Sequence, residues 1–174
     1  MKKRFTMLLT GLSGAGKSTI AERLSMKLKD DGHRIEVLDG DIVRKEIGQL
    51  FGYSREERIK VSKILRFTAK LLNNNGISVI IAAISPYQEM REQYRREIND
   101  YIEVYVKCPL EVCVERDVKG IYKKALQGDL KNVIGVDEAF EIPKDPHVLV
   151  DSSECDVDSS VSKVWGILES NQYV

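Results

Sequence analysis

The residues Gly11-Leu12-Ser13-Gly14-Ala15-Gly16-Lys17-Ser18-Thr19 read G-x-x-x-x-G-K-S, a spacing that holds phosphate. Glycines let consecutive backbone N–H groups turn inward around an anion, and a following helix adds the positive end of its dipole. Lys17 reaches the β- and γ-phosphates of a nucleoside triphosphate, and the Ser18 hydroxyl ligates Mg²⁺. Gly11, Ser13, Gly14, Ala15, Gly16, Lys17, Ser18 and Thr19 are therefore the expected nucleotide-binding residues. A second centre is Asp39-Gly40-Asp41. One of these carboxylates can hold Mg²⁺ through water while the other accepts the proton of an attacking hydroxyl; a solvated Asp-Gly turn is the plainer alternative. Arg44 and Arg58 offer guanidinium groups for a second anion, a phosphate or a sulfate. Lys119, Lys123 and Lys124 read as a mobile lid that closes over phosphates. His33 and His147 lack metal-ligand spacing.

These residues act together only if a fold brings them to one place. A strand must precede the glycine loop, and Phe5 to Thr10 is a short apolar run of strand type within an expected strand at about 4–10. A helix must follow it, and Ile20, Leu24 and Leu28 repeat at helical spacing to about Asp31, with Gly32 as a C-terminal cap. A second strand is expected at 35–39. Ser54 and Glu57 form a capping box opening a helix, with Val61, Ile64, Leu65, Thr68, Leu71 and Leu72 on one face and a stop at Asn75-Gly76. Further strands are expected at 79–84, 102–107 and 148–150. The first of these ends at Ser85-Pro86-Tyr87, and the second precedes Cys108 and Pro109, the latter placed for the first turn of a helix. The last helix carries Val161, Val164, Trp165 and Leu168, which makes Trp165 a core residue. The segment 119–143 reads as a basic, mostly surface lid. Alternating strands and helices indicate an α/β fold with a mainly parallel five-stranded sheet, as one domain spanning 1–174. In such sheets ligands bind beyond the carboxyl ends of the strands, where the Asp pair, Ser85 and the basic segment converge on the glycine loop.

Composition narrows the function classes. The chain has 174 residues, 43% of them hydrophobic, enough for one full core. Lys plus Arg and Asp plus Glu each number 27, so no net charge points to nucleic acid or an anionic membrane. Cys108, Cys113 and Cys155 form no C-x-x-C pair, which suits reduced thiols. Met1-Lys2-Lys3-Arg4 resembles the charged end of a signal peptide, but the apolar run after it is too short, and no segment reaches membrane-spanning length. A cytoplasmic protein is expected.

Over nearly the whole chain these residues resemble the adenylylsulfate (APS) kinase family. The matching pieces are the glycine loop, Asp39-Gly40-Asp41 with Arg44, Gly52-Tyr53-Ser54-Arg55-Glu56-Glu57-Arg58, and Ile84-Ser85-Pro86-Tyr87. Pro109-Leu110-Glu111-Val112-Cys113, Arg116-Asp117 and Lys119-Gly120-Ile121-Tyr122-Lys123-Lys124-Ala125 complete the match. The resemblance implies a P-loop nucleoside-triphosphate hydrolase-like three-layer fold that binds ATP and Mg²⁺. It implies phosphoryl transfer to the ribose 3′-hydroxyl of a nucleotide acceptor with a 5′ anion. It makes Asp41 the base, Asp39 and Ser18 the metal-organising pair, and Lys17 a catalytic cation. Arg44, Tyr53 and Arg58 fall at acceptor-binding positions, with Ile84 and Ser85 beside them and Lys119 and Lys123 in the lid. Ser85 matches a serine described in the family as a phosphoserine intermediate, although direct in-line transfer is more economical. A homodimer is also implied.

The departures cluster where the acceptor would bind. The family's Phe-Ser-Arg-Glu-Asp-Arg-x-x-Asn-Ile-Arg-Arg has Val61 here at the Asn, with Lys63 and Ile64 in place of the two arginines. The family's Phe-Thr-Gly after the lid is Asn132-Val133-Ile134-Gly135 here, which removes one of two rings gripping adenine, and Gln88 replaces the Arg after Ser-Pro-Tyr. Two substrates stay open: adenylylsulfate, or a related nucleotide such as cytidine diphosphoramidate. The lost stacking surface predicts that a cytidine nucleotide is the better acceptor. A nucleotide-dependent switch is the competing class. The guanine-reading Asn-Lys-x-Asp is absent, and Asp117-Val118-Lys119-Gly120 fits D-x-x-G only in form.

Overall fold

The computed structural model describes residues 2–47 and 50–174; Met1, the first residue of the charged start, lies outside them. In chain order the elements are β1 (Thr6–Thr10), α1 (Lys17–Asp30), β2 (Ile35–Asp39), α2 (Gly40–Glu46), α3 (Arg55–Asn74) and β3 (Ser78–Ala82). They continue as α4 (Gln88–Glu97), β4 (Tyr101–Lys107), α5 (Leu110–Arg116), α6 (Ile121–Leu126), β5 (Val148–Asp151) and α7 (Val157–Ser170). The five strands form one sheet in the order β2-β3-β1-β4-β5, and every pairing is parallel.

Side-chain alternation makes this a three-layer structure. Met7 and Leu9 of β1 and Ile80 of β3 face a core shared with Ile20, Leu24 and Leu28 of α1 and Val161, Val164 and Leu168 of α7. Leu8, Val79 and Ile81, the intervening residues, face a second core with Val61, Leu65 and Ala69 of α3 and Tyr94 of α4. Central strands buried on both faces are what a parallel sheet requires. β1 lies between β3 and β4, so the chain winds in opposite senses on its two sides. That change of direction opens a crevice beyond the carboxyl end of β1, where the glycine loop begins.

Strand ends shift by a few residues from expectation: β1 starts at Thr6, and β3 runs from Ser78 to Ala82. Gly32 and Gly76 take left-handed φ values just past the ends of α1 and α3, as helix-stopping glycines do. Pro109 is the residue before α5 rather than in its first turn. The buried face of α3 is Arg58, Val61, Ser62, Leu65, Arg66 and Ala69, whereas Leu71 is 53% exposed. Of the two arginines in that stripe, Arg58 bonds backbone carbonyls and Arg66 pairs at 3.0 Å with Glu97 at the surface. Segment 119–143 is not simply a surface run, since Tyr122, Val133 and Ile134 are buried. Trp165 is half-buried, packed on the core edge beneath the Lys27 ammonium 4.0 Å from its ring centre. His33 Nε2 lies 3.4 Å from Asp31, and His147 Nδ1 accepts from the Glu103 N–H at 3.0 Å. Among the described residues no helix is long and apolar enough to cross a membrane.

Candidate active site

The glycine loop is shaped by its neighbours on every side. Gly11 lies so close to β4 that a Cβ there would sit 2.3 Å from the Val106 carbonyl oxygen. Gly14 and Gly16 have φ of 78° and 93°, in the left-handed region that favours glycine. Three successive carbonyls of the loop are held by side chains. Lys17 Nζ donates to the Leu12 oxygen at 2.7 Å, Tyr122 Oη to that of Ser13 at 3.0 Å, and Arg116 Nη1 to that of Gly14 at 3.2 Å. The Gly11 and Ala15 N–H groups donate to the Ile84 and Leu12 oxygens, so it is the N–H groups at the start of α1 that are offered to an anion. Lys17 is only 8% exposed, and burial with help from nearby Lys119 pushes its ammonium down to about 8. A buried cation with one carbonyl for company is poised to gain from an incoming phosphate.

Asp39-Gly40-Asp41 is the start of a helix rather than a free turn. Asp39 caps α2, its Oδ1 accepting from the N–H groups of Asp41 at 2.9 Å and Ile42 at 3.3 Å. Its Oδ2 accepts from the Ser18 hydroxyl at 2.5 Å. One carboxylate thus joins the glycine loop to α2 and fixes where Asp41 stands. Asp41 is exposed, and its carboxylate pairs with the Lys119 ammonium. Ser18 and Asp39 suit Mg²⁺, which takes few protein oxygens and keeps phosphate and water ligands. Among the described residues no group of three His, Cys, Asp or Glu side chains could enclose a metal by itself.

A cavity of about 850 Å³ runs from the glycine loop past Asp41 to a wall of arginines and apolar residues. Arg44 Nη1 donates to the Gly52 oxygen at 2.6 Å, and its guanidinium lies 4.7 Å from the Tyr53 ring centre. Arg58 Nε donates to the Tyr53 oxygen at 2.9 Å and Nη2 to that of Asn132 at 2.7 Å. Burial pushes both guanidinium groups down from their ordinary pKa. The expected capping box is present, with Ser54 accepting from the Glu57 N–H and Glu57 accepting from that of Ser54. Glu57 also accepts from the Gly52 N–H at 2.8 Å, which sets the Tyr53 turn against the helix. Ser85 is buried, has φ of 42°, and lines the cavity with a hydroxyl that has no partner. A non-glycine residue in that region costs on the order of 1–3 kcal/mol and is held by its surroundings.

Arg91, fully buried on α4, does that holding. It donates to the Ser85 oxygen at 2.7 Å and, through Nη2, to Gln88 Oε1 at 2.9 Å and the Glu141 oxygen at 2.5 Å, with the Glu103 carboxylate 3.6 Å from Nε. Arg91 is not legible in the sequence, because its helix is rich in Glu, Arg and Gln and reads as surface. Glu103 was the available signal: a carboxylate in the apolar strand Ile102-Glu103-Val104 requires a cation inside. Arg116 and Tyr122 are legible only as parts of matching motifs.

Of the expected residues, Ser13, Gly14, Ala15, Gly16, Lys17, Ser18, Thr19, Asp41, Arg44, Tyr53, Arg58, Ile84, Ser85 and Lys119 all line the one cavity. Gly11 and Asp39 support it from behind. Lys123 is exposed and off the cavity wall, its backbone N–H donating to Asp117 at 2.9 Å. Val61 and Val133 are buried in the wall.

The model for the family described as adenylylsulphate kinase matches residues 3–151. An adenylyl-sulfate kinase of Microcystis aeruginosa is 46% identical over 100% of this chain and 97% of its own. A probable adenylyl-sulfate kinase of Pyrococcus abyssi is 45% identical over 92% of each chain. Among solved structures, the Mycobacterium tuberculosis APS kinase in complex with AMPPNP and APS superposes with a TM-score of 0.92 at 34% identity, covering 97% of this chain and 99% of that one. A phosphate loop joined through Asp39 to a candidate base, sequence identity along the full length and a shared parallel sheet all agree: the chain belongs to the adenylylsulphate kinase family.

Proposed function

We propose that this protein is an ATP-dependent adenylylsulfate kinase that transfers the γ-phosphoryl group to the ribose 3′-hydroxyl of adenylylsulfate. The observation that carries the reading is the double role of Asp39, which ties Ser18 of the phosphate loop to the helix presenting Asp41. The glycine loop and Lys17 cradle the ATP phosphates. Mg²⁺ bound at Ser18 and Asp39 would neutralise charge between the β- and γ-phosphates. Asp41 takes the proton of the 3′-hydroxyl as the new P–O bond forms and the bond to the β-phosphate oxygen breaks. Lys119, paired with Asp41 in the free enzyme, transfers to the phosphates when segment 119–143 closes as a lid, which frees the carboxylate. Arg44 and Arg58 bind the 5′ anionic tail, Tyr53 stacks on adenine, and Ser85 with Ile84 lines the acceptor end without a covalent role.

The expected preference for a cytidine nucleotide is not favoured: the relatives quoted above are adenylyl-sulfate kinases at 45–46% identity. Physically, Tyr53 still offers a ring at the cavity, and Val133 closes the wall by packing. A nucleotide switch is not favoured either. For assembly we adopt the homodimer implied by the family, which light scattering tests. We place the protein in the cytoplasm, a reading supported by the free thiols of Cys108, Cys113 and Cys155. The test of function is incubation with ATP, Mg²⁺ and adenylylsulfate. A product heavier by one phosphoryl group, blocked at the 3′-oxygen, is expected; ATP turnover indifferent to acceptor would refute the reading.

A further inference from the structure

One buried group in the acceptor wall is unused by the mechanism above. Ser62 is 2% exposed, lies on α3 one turn beyond Arg58, and lines the cavity. Its carbonyl accepts from Tyr94 Oη at 3.2 Å, but its hydroxyl has no partner. Serines inside helices ordinarily settle by donating to the carbonyl four residues back. Three serines of α7 do so: Ser160 to Asp156 at 2.8 Å, Ser162 to Asp158 at 2.8 Å and Ser170 to Gly166 at 2.7 Å. Ser62 forgoes that bond. Its neighbours on the wall, Val61, Leu65 and Ala82, offer nothing polar in exchange. A buried hydroxyl left unpaired is costly, so the group that satisfies it has to arrive from outside the fold.

Ser85 is in the same condition in the same cavity, 3% exposed with an unpartnered hydroxyl. Two idle hydroxyl donors in the cavity that Arg44 and Arg58 also line form a set suited to an oxyanion. The guanidinium groups supply charge and the hydroxyls meet individual oxygens. The neutral hydroxyls add donors without adding charge, which suits a singly charged terminal sulfate better than a doubly charged phosphate. We infer that Ser62 is a specificity-determining residue whose hydroxyl donates to a sulfate oxygen of the acceptor. Ser62 stands where the family pattern quoted above has isoleucine, one position after the lost asparagine, so the polar contact has moved by one residue along α3. This inference rests on the adenylylsulfate reading.

The test compares wild type with Ser62→Ala in steady-state assays that vary adenylylsulfate and ATP separately. It adds inhibition by adenosine 5′-monophosphate, which lacks the sulfate, and the melting temperature. KM for adenylylsulfate should rise about three- to tenfold, the loss of one hydrogen bond. KM for ATP and inhibition by the monophosphate should not change, and Tm should not fall. A lowered Tm with an unchanged KM for adenylylsulfate would assign Ser62 to the fold and overturn the inference. An equal weakening of adenylylsulfate and the monophosphate would place the hydroxyl on the nucleoside and overturn the sulfate assignment. The wild-type arm separates the two levels: if it fails to phosphorylate adenylylsulfate, the proposed function falls and this inference with it.

Discussion

The two ends of the cavity are built by different means. At the proposed donor end the binding groups would be backbone N–H groups, and the side chains around them hold the loop's own carbonyls: Lys17 on Leu12, Tyr122 on Ser13, Arg116 on Gly14. At the proposed acceptor end the binding groups would be side chains, and long arginines tie distant backbone segments together. Arg58 reaches from Tyr53 to Asn132, and Arg91 from Ser85 to Glu141. A backbone site depends on glycines at fixed positions and tolerates little change, as the 2.3 Å approach at Gly11 shows. A side-chain site is distributed over several elements, so single positions such as Val61 and Val133 can change while the wall stays closed.

The largest effect is expected at the seam between the ends. Asp41→Asn keeps the N–H that Asp39 caps but removes the base, so kcat should fall roughly 10²–10⁴-fold. ATP affinity, measured by equilibrium binding, should stay near wild type. Full turnover in Asp41→Asn with loss in Asp39→Asn would reverse the two roles, and activity in both would reduce the pair to a helix cap. Next in size, Lys17→Ala should slow transfer by about 10²–10³-fold through loss of preorganised charge at the phosphates. If it weakens the acceptor as much as ATP in steady-state kinetics, the two ends are not separable.

The same division explains what could be read before folding. The glycine loop and the Ser54–Glu57 box are local patterns whose partners lie within a few residues, so spacing alone locates them. The parallel strands follow from apolar runs buried on both faces. The acceptor wall is not local: Arg91 gathers partners at 85, 103 and 141, and nothing in the spacing of α4 announces that it is buried. Helix α2 is not legible in the sequence because Asp39-Gly40-Asp41 carries turn residues, and only the side chain of Asp39 bonding forward turns them into a cap.

At the acceptor end, Arg58→Lys keeps the charge but not the fork that spans Tyr53 and Asn132. KM for the acceptor should rise about tenfold, as expected for one lost charge-assisted hydrogen bond, with KM for ATP unchanged. A matched rise for both substrates would show that the wall couples to the loop. The smallest effect belongs to the strand-end loop after β5, whose Ser152 lines the donor side. The Lys107 ammonium at 2.7 Å, and then the Ser153 hydroxyl at 2.5 Å, pull the Asp151 carboxyl down to about 2 from the usual 3.8. A depressed carboxylate pKa stabilises the fold above pH 3.8 and loses that contribution as pH falls through 2. Lys107 is half exposed, so Asp151→Asn should lower Tm at pH 7 by at most about 3 °C, and by much less near pH 2. Equal destabilisation at both pH values would mean that the loop is held by something other than charge.

The measurement that tests the account most directly is competition between acceptors. With saturating ATP and Mg²⁺, kcat/KM is measured for adenylylsulfate and for a cytidine nucleotide carrying a 5′ anion, with products identified by mass. The account predicts a clearly higher kcat/KM for adenylylsulfate, with one phosphoryl group gained at the 3′-oxygen. A higher value for the cytidine nucleotide would show that the losses at Val61 and Val133 have changed the substrate, and would contradict it.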